Sequence, residues 1–239
     1  MSTEVLRHDD ASAVAADVAT RLLETLAAAQ ADGREPQIAL TGGTIAELVH
    51  REVARLSRDS AVDWSRVVVW WGDERFVAAD DPERNAGQAR AAFLDAVGAG
   101  QVHEMPSTAD ASTPDEGATS YSRQLRAHGA GEFDVVMLGV GPDGHVASLF
   151  PGHAALEVDD AIALGVTDSP KPPPERISLT FAALNRAREV WFLVSGDEKA
   201  DAVRRGLADS GDVHETPARG VSGRVSTLWF LDDAAASLL

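Results

Sequence analysis

Four apolar runs in this chain each break off into a polar, glycine-bearing turn, and helical patterns separate one run from the next. Gln37-Ile38-Ala39-Leu40 gives way to Thr41-Gly42-Gly43-Thr44, and Val67-Val68-Val69-Trp70-Trp71 to Gly72-Asp73-Glu74-Arg75. Phe133 to Val140 runs into Gly141-Pro142-Asp143-Gly144-His145, and Val190 to Val194 into Ser195-Gly196-Asp197. A strand that is apolar at successive positions must be covered on both faces, and strands joined through helices pair in parallel. The arrangement predicts a Rossmann-like α/β fold, a mainly parallel sheet with helices on both faces. No repeat and no linker divides the chain, so residues 1–239 are expected to form a single domain.

The intervening segments fit this scheme. Val14, Val18, Leu22 and Leu26 recur every four residues, which predicts an amphipathic helix over 10–30. Further helices are expected over 47–56, 85–97, 116–128 and 178–187, and another from Ser195-Gly196-Asp197 through Leu207, with Lys199 one turn inside it. Ser107 to Asp115 reads as loop, Ile162 to Val166 as a strand, and Leu228 to Leu231 as the last strand. Pro170, Pro172, Pro173 and Pro174 form a stiff, extended stretch that can hold the residues after it in place.

Charge narrows the partners. With 21 Lys+Arg against 38 Asp+Glu, the chain carries a formal charge of −17. Nucleic acid and anionic membranes would be repelled at long range, so neither is expected as a partner. An anionic small molecule would need a local cluster of cations set against that field. The absence of cysteine removes disulfides, zinc–thiolate sites and cysteine nucleophiles together. Met1-Ser2-Thr3-Glu4 has neither a basic stretch nor an apolar one, and no apolar run approaches the ~18 residues of a membrane span. A cytoplasmic protein is expected.

In sheets of this kind ligands bind beyond the carboxyl ends of the strands. Thr41-Gly42-Gly43-Thr44 is either an ordinary tight turn or a set of backbone N–H groups at a helix start that suits a phosphate. Gly72-Asp73-Glu74-Arg75 joins carboxylates to a guanidinium, which is either a surface ion pair or part of a site. Gly139 to Gly144 matches G-x-G-x-x-G, yet Pro142 removes an N–H that a dinucleotide phosphate would need, so that reading is rejected. His145, directly after this loop, is a candidate base. Arg176 and Lys199 are candidate cations, and each alone also reads as solvated surface. His103, His145 and His153 lack metal-ligand spacing, so no metal is expected.

Together these blocks resemble the 6-phosphogluconolactonase family, within the larger group that includes glucosamine-6-phosphate deaminase. The segments that carry the resemblance are Leu40 to Thr44, Trp71 to Val77 with Asp80, Asp81 and Asn85, Leu138 to Gly152, Ser169 to Ser178, Gly196 to Ala200, and Pro217-Ala218. They occur in family order across nearly the whole chain. The resemblance implies hydrolysis of 6-phospho-D-glucono-1,5-lactone to 6-phosphogluconate, without metal or organic cofactor, by a monomer or small homo-oligomer. It implies that His145 is the general base, with Asp73 and Asp143 orienting water, imidazole or a sugar hydroxyl. Thr41, Gly42, Gly43 and Thr44 would hold the phosphate, and Arg75, Asn85, Arg176 and Lys199 would complete the substrate-binding set.

An activated ester such as a δ-lactone needs no covalent nucleophile, and an imidazole suffices to take a proton from the attacking water. One departure from the family pattern lies in the first turn, and the loop Ser107 to Asp115 carries none of its motifs. Thr44-Ile45-Ala46 replaces a more hydroxylated end of the first turn, and Ile45 loses a hydroxyl there. Phe150 stands where the deaminases carry a glutamate that assists ring opening, and Arg75 where they usually carry tyrosine. Those two positions weigh against an aminosugar-phosphate deaminase. A non-catalytic sugar-phosphate sensor is the remaining alternative; no helix-turn-helix pattern precedes residue 37.

Overall fold

The computed structural model describes residues 2–128 and 132–239. In chain order the strands are β1 (Ser2–His8), β2 (Gln37–Leu40), β3 (Val68–Trp71), β4 (Asp73–Arg75), β5 (Gln101–Val102), β6 (Val135–Gly139), β7 (Ala163–Val166), β8 (Arg176–Leu179), β9 (Glu189–Val194) and β10 (Ser226–Asp232). The helices are α1 (Ala11–Ala31), α2 (Thr44–Ser57), α3 (Asn85–Ala89), α4 (Asp95–Val97), α5 (Pro114–Ala127), α6 (Phe181–Leu184) and α7 (Ala200–Leu207). A π-helical segment, Arg90–Leu94, joins α3 to α4, so the helix expected over 85–97 is continuous with a wider middle. Among the described residues no helix is long and apolar enough to cross a membrane.

Seven strands form one sheet in the order β1-β10-β9-β6-β2-β3-β5, and every neighbouring pair is parallel. All four residues of β3 are buried, as are the last three of β2 and the last five of β9. This is the burial that runs of consecutive apolar residues require. The chain builds outward from β2 to β3 and β5 on one side, then returns to lay β6, β9 and β10 on the other. The order therefore reverses between β2 and β6, and such a reversal opens a crevice at the strands' carboxyl ends.

A second sheet, β4-β8-β7, is antiparallel and stands against those ends. One residue, Gly72, carries the chain from β3 into β4. Its N–H donates to Leu40 of the large sheet (2.9 Å) and its carbonyl accepts from Leu179 of the small one (2.8 Å). Tyr121 of α5 closes the same corner. Its hydroxyl accepts from Trp71 N (2.9 Å) and donates to Trp71 O (3.3 Å), backbone groups that β5 is too short to pair.

One expectation changes, and a strand appears where none was expected. The helix expected over 178–187 is β8 followed by one turn of helix, α6, whose start is capped by Thr180 accepting from Ala183 N. Apolar residues such as Ile177 and Leu179 fit a strand as well as a helix, and pairing with β4 and β7 decides between them. Ser2–His8 is a strand without a clear sequence signal: it lies at the sheet's edge, pairs only with β10 and stays largely exposed, so its residues are mostly polar.

Candidate active site

The crevice is a cavity of about 560 Å³. Of the residues singled out from the sequence, Thr41, Gly42, Gly43, Thr44, Asp73, Arg75, Asn85, His145, Arg176 and Lys199 all line it. Asp143 stands behind His145 rather than in the wall. Lys171, Ser195 and Glu198 line the cavity as well and were not singled out.

His145 is held by a tight turn at the end of β6, in which Gly141 N donates to His145 O and Gly144 N to Gly141 O, both at 2.9 Å. The imidazole folds back over Gly141 so closely that a Cβ there would lie 2.0 Å from Nδ1. That nitrogen is 2.5 Å from Asp143 Oδ1. Burial raises the Asp143 carboxyl, but its hydrogen bond to His145, the imidazole's charge and nearby Lys171 outweigh burial and hold it well below the usual carboxylate range. Asp143 is thus ionised, and a carboxylate at this distance needs the proton to be on Nδ1. The lone pair then belongs to Nε2, which has no hydrogen bond among the described residues. Phe150 packs against the ring, with centroids 4.6 Å apart.

Asp73 is buried at the start of β4, where Oδ2 accepts from Ser148 Oγ (2.7 Å). Asn85 sits beside it at the start of α3. Its Nδ2 donates to Asp73 O (3.0 Å), and its Oδ1 is buried without a partner. The side chain needs Gly42: a Cβ at that position would fall 1.9 Å from Asn85 Oδ1. Glu74, fully buried, caps this helix by accepting from the N–H groups of Arg75, Asn85 and Ala86. Burial raises the Glu74 carboxyl, against the pull of Arg84 and those three N–H groups.

The cations differ in how far the protein has already used them. Arg75 donates through Nη1 to Glu83 O, while its Nε is buried and unpartnered. Arg176 is nearly enclosed and grips the proline stretch: Nε donates to Pro173 O (3.1 Å), and Nη2 to Pro172 O (3.1 Å) and Lys171 O (3.2 Å). Burial lowers its guanidinium, with Asp73 opposing and Arg75 adding to the shift. Lys199 ends a single 3-10 turn and begins α7. Burial lowers its ammonium and Lys171 lowers it further, against Glu198 and Asp143.

The turn before Lys199 is set by a residue outside the expected set. Asp232, buried at the end of β10, accepts from Ser195 Oγ (2.6 Å) and Gly196 N (3.1 Å). No side chain of Ser195-Gly196-Asp197 caps the helix, contrary to expectation. Asp232 carries no motif, and only the pairing of β10 with β9 brings it to this turn.

Residues 9–229 match the family described as glucosamine-6-phosphate isomerases/6-phosphogluconolactonase. The chain belongs to that family. A 6-phosphogluconolactonase of Streptomyces coelicolor is 42% identical over 247 residues, spanning 99% of this chain and 94% of that protein. One of Mycobacterium leprae is 41% identical over 99% of this chain and 98% of its own length. The 6-phosphogluconolactonase structure from Trypanosoma brucei superposes with a TM-score of 0.84 at 27% identity, covering 100% of this chain and 99% of that one. The family match takes in every residue of the cavity wall, from Ala11 to Lys199, and leaves Asp232 outside it.

Proposed function

We propose that this family member is a 6-phosphogluconolactonase, hydrolysing 6-phospho-D-glucono-1,5-lactone to 6-phospho-D-gluconate, the second step of the oxidative pentose phosphate pathway. The observation that carries the reading is His145, with Nδ1 committed to ionised Asp143 and Nε2 unspent, in a cavity walled by Arg75, Lys171, Arg176 and Lys199. Full-length relatives at 41–42% identity that bear this name support it.

In the proposed mechanism Nε2 takes a proton from water as the water oxygen bonds to the lactone carbonyl carbon and the carbonyl electron pair moves to oxygen. Asp143 stabilises the imidazolium so formed. Collapse of the oxyanion breaks the ring C–O bond, and the imidazolium returns its proton to the departing ring oxygen. General-base assistance of this kind contributes ~10²–10⁴-fold. Positioning the lactone through its phosphate, with the Thr41–Thr44 turn, Arg75 and Lys199, supplies more. Asp73, fixed by Ser148, is set to accept a hydrogen bond from a sugar hydroxyl.

Phe150 lies against His145 where a deaminase would need an acid, and a phenyl ring transfers no proton. The test is a coupled assay with freshly generated lactone and the spontaneous rate subtracted. Wild-type protein is expected to accelerate hydrolysis and His145→Ala to lose ~10²-fold or more in kcat. Unchanged turnover in that variant would overturn the base assignment, and no acceleration by the wild type would overturn the activity.

A further inference from the structure

Lys171 occupies a position that the mechanism above does not use. It lies within the proline stretch, half-buried, on the cavity wall, and its Nζ is 3.5 Å from His145 Nδ1. That contact is not a hydrogen bond. Nδ1 already carries the proton it gives to Asp143, so it has no lone pair to offer an ammonium group. No other acceptor for Lys171 Nζ occurs among the described residues. An ammonium group is therefore held beside the His145 imidazole on the cavity wall, with its hydrogen-bonding capacity unspent.

The fold spends several interactions to keep it there. Three hydrogen bonds from the buried Arg176 guanidinium fix the carbonyls of Lys171, Pro172 and Pro173. Ser169 Oγ donates to Lys171 O (2.9 Å) and accepts from Lys171 N (3.3 Å). A lysine on a mobile surface loop would not be clamped at both its N–H and its carbonyl. Prolines on both sides, Pro170 and Pro172, stiffen the segment further.

We infer that Lys171 is a catalytic residue, whose ammonium stabilises the oxyanion that develops on the lactone carbonyl when water activated by His145 attacks. Pre-positioned charge aimed at a developing oxyanion acts in the transition state more than in the ground state, and loss of one such donor costs ~10²–10³-fold in kcat. The inference rests on the lactonase reading of the site. Phosphate recognition is the competing role for this cation, because it lies close enough to Lys199 to lower the Lys199 ammonium.

Lys171→Met and Lys171→Arg, assayed beside wild type and His145→Ala, separate these roles. Expected is a kcat reduced ~10²-fold or more in Lys171→Met with KM within about threefold of wild type, and partial recovery in Lys171→Arg. Competitive inhibition by sorbitol 6-phosphate, which carries the phosphate but no carbonyl, should keep the wild-type Ki in Lys171→Met. A kcat within threefold of wild type would overturn the inference. So would a loss confined to KM and matched by a weaker Ki, which would make Lys171 a phosphate ligand. Full activity of His145→Ala would instead strike the base reading, and the split between kcat and KM in Lys171→Met would still stand as measured. Thermal unfolding of each variant distinguishes a catalytic loss from a folding one.

Discussion

Arg75 and Arg176 are cross-strand partners, directly opposite in the antiparallel pairing of β4 with β8. Like charges so placed repel, and the pair is tolerable only if each guanidinium has somewhere to put its charge. Arg176 gives its hydrogen bonds to the carbonyls of the proline stretch, whereas the Nε of Arg75 is left without a partner. The two arginines thus do different work: one braces a loop and faces the cavity, the other has capacity left for a ligand.

Arg176→Lys tests the bracing role. A lysine keeps the charge but cannot donate from Nε and Nη2 at once. Loss of these charge-assisted bonds is expected to lower stability by roughly 2 kcal/mol or more, read as a lower urea midpoint at constant slope. Activity should fall with it, because the carbonyls of Lys171, Pro172 and Pro173 lose their anchor. A variant as stable as wild type would show that the three hydrogen bonds do not hold the loop.

Arg75→Met should act on binding alone. The side chain is half-exposed and joins little of the surrounding backbone beyond Glu83 O. KM for the lactone is expected to rise ~10-fold or more, as for removal of one charged contact, with kcat changed much less. The unfolding midpoint should stay close to that of wild type. An unaltered KM would place Arg75 outside the substrate's reach.

Much of this site is legible in the sequence because strand ends are legible. The apolar runs of β2, β3, β6 and β9 each stop where a turn begins, and those turns carry Thr41–Thr44, Asp73, His145 and Lys199 to one crevice. Arg176 was identified as a cation, but its bracing role is visible only once β8 is seen to pair with β4. The strand itself was hidden, since its short apolar stretch fits a helix in isolation. Lys171 lies in a segment that carries the family resemblance, but nothing in its residue type or spacing marked it as a site residue, and Asp232 had no signal at all. Their places at the site follow from contacts between residues 26 and 36 positions apart in the chain, which local periodicity does not encode.

Gly141→Ala is a small change with a directed effect. Added at this position, a Cβ would fall 2.0 Å from His145 Nδ1 and 2.5 Å from Asp143 Oδ1. The imidazole and the carboxylate must then move apart, so the variant should lose at least ~10²-fold in kcat, as when a general base is displaced. The Thr41–Thr44 turn and Lys199 lie outside that collision, and the Ki for sorbitol 6-phosphate should change little. A fully active alanine variant would mean that the ring does not work from over Gly141.

His50 makes acid stability a separate matter from catalysis. It is buried on α2 against Phe93, with ring centroids 4.8 Å apart, and burial lowers its pKa to about 4. The unfolded chain binds this proton near pH 6.5 and the folded one does not. Below pH 6.5 the unfolded state therefore binds more protons, and the contribution present above that pH is lost progressively as pH falls toward 4. The full difference amounts to about 3 kcal/mol, at ~1.4 kcal/mol per pH unit. His50→Phe keeps an aromatic ring against Phe93 but has no proton to bind. Denaturation followed between pH 7 and 4.5 should show a shallower fall in stability for the variant than for wild type, whatever happens at neutral pH. Parallel curves would mean that the folded and unfolded states bind this proton alike, so that burial does not lower the His50 pKa.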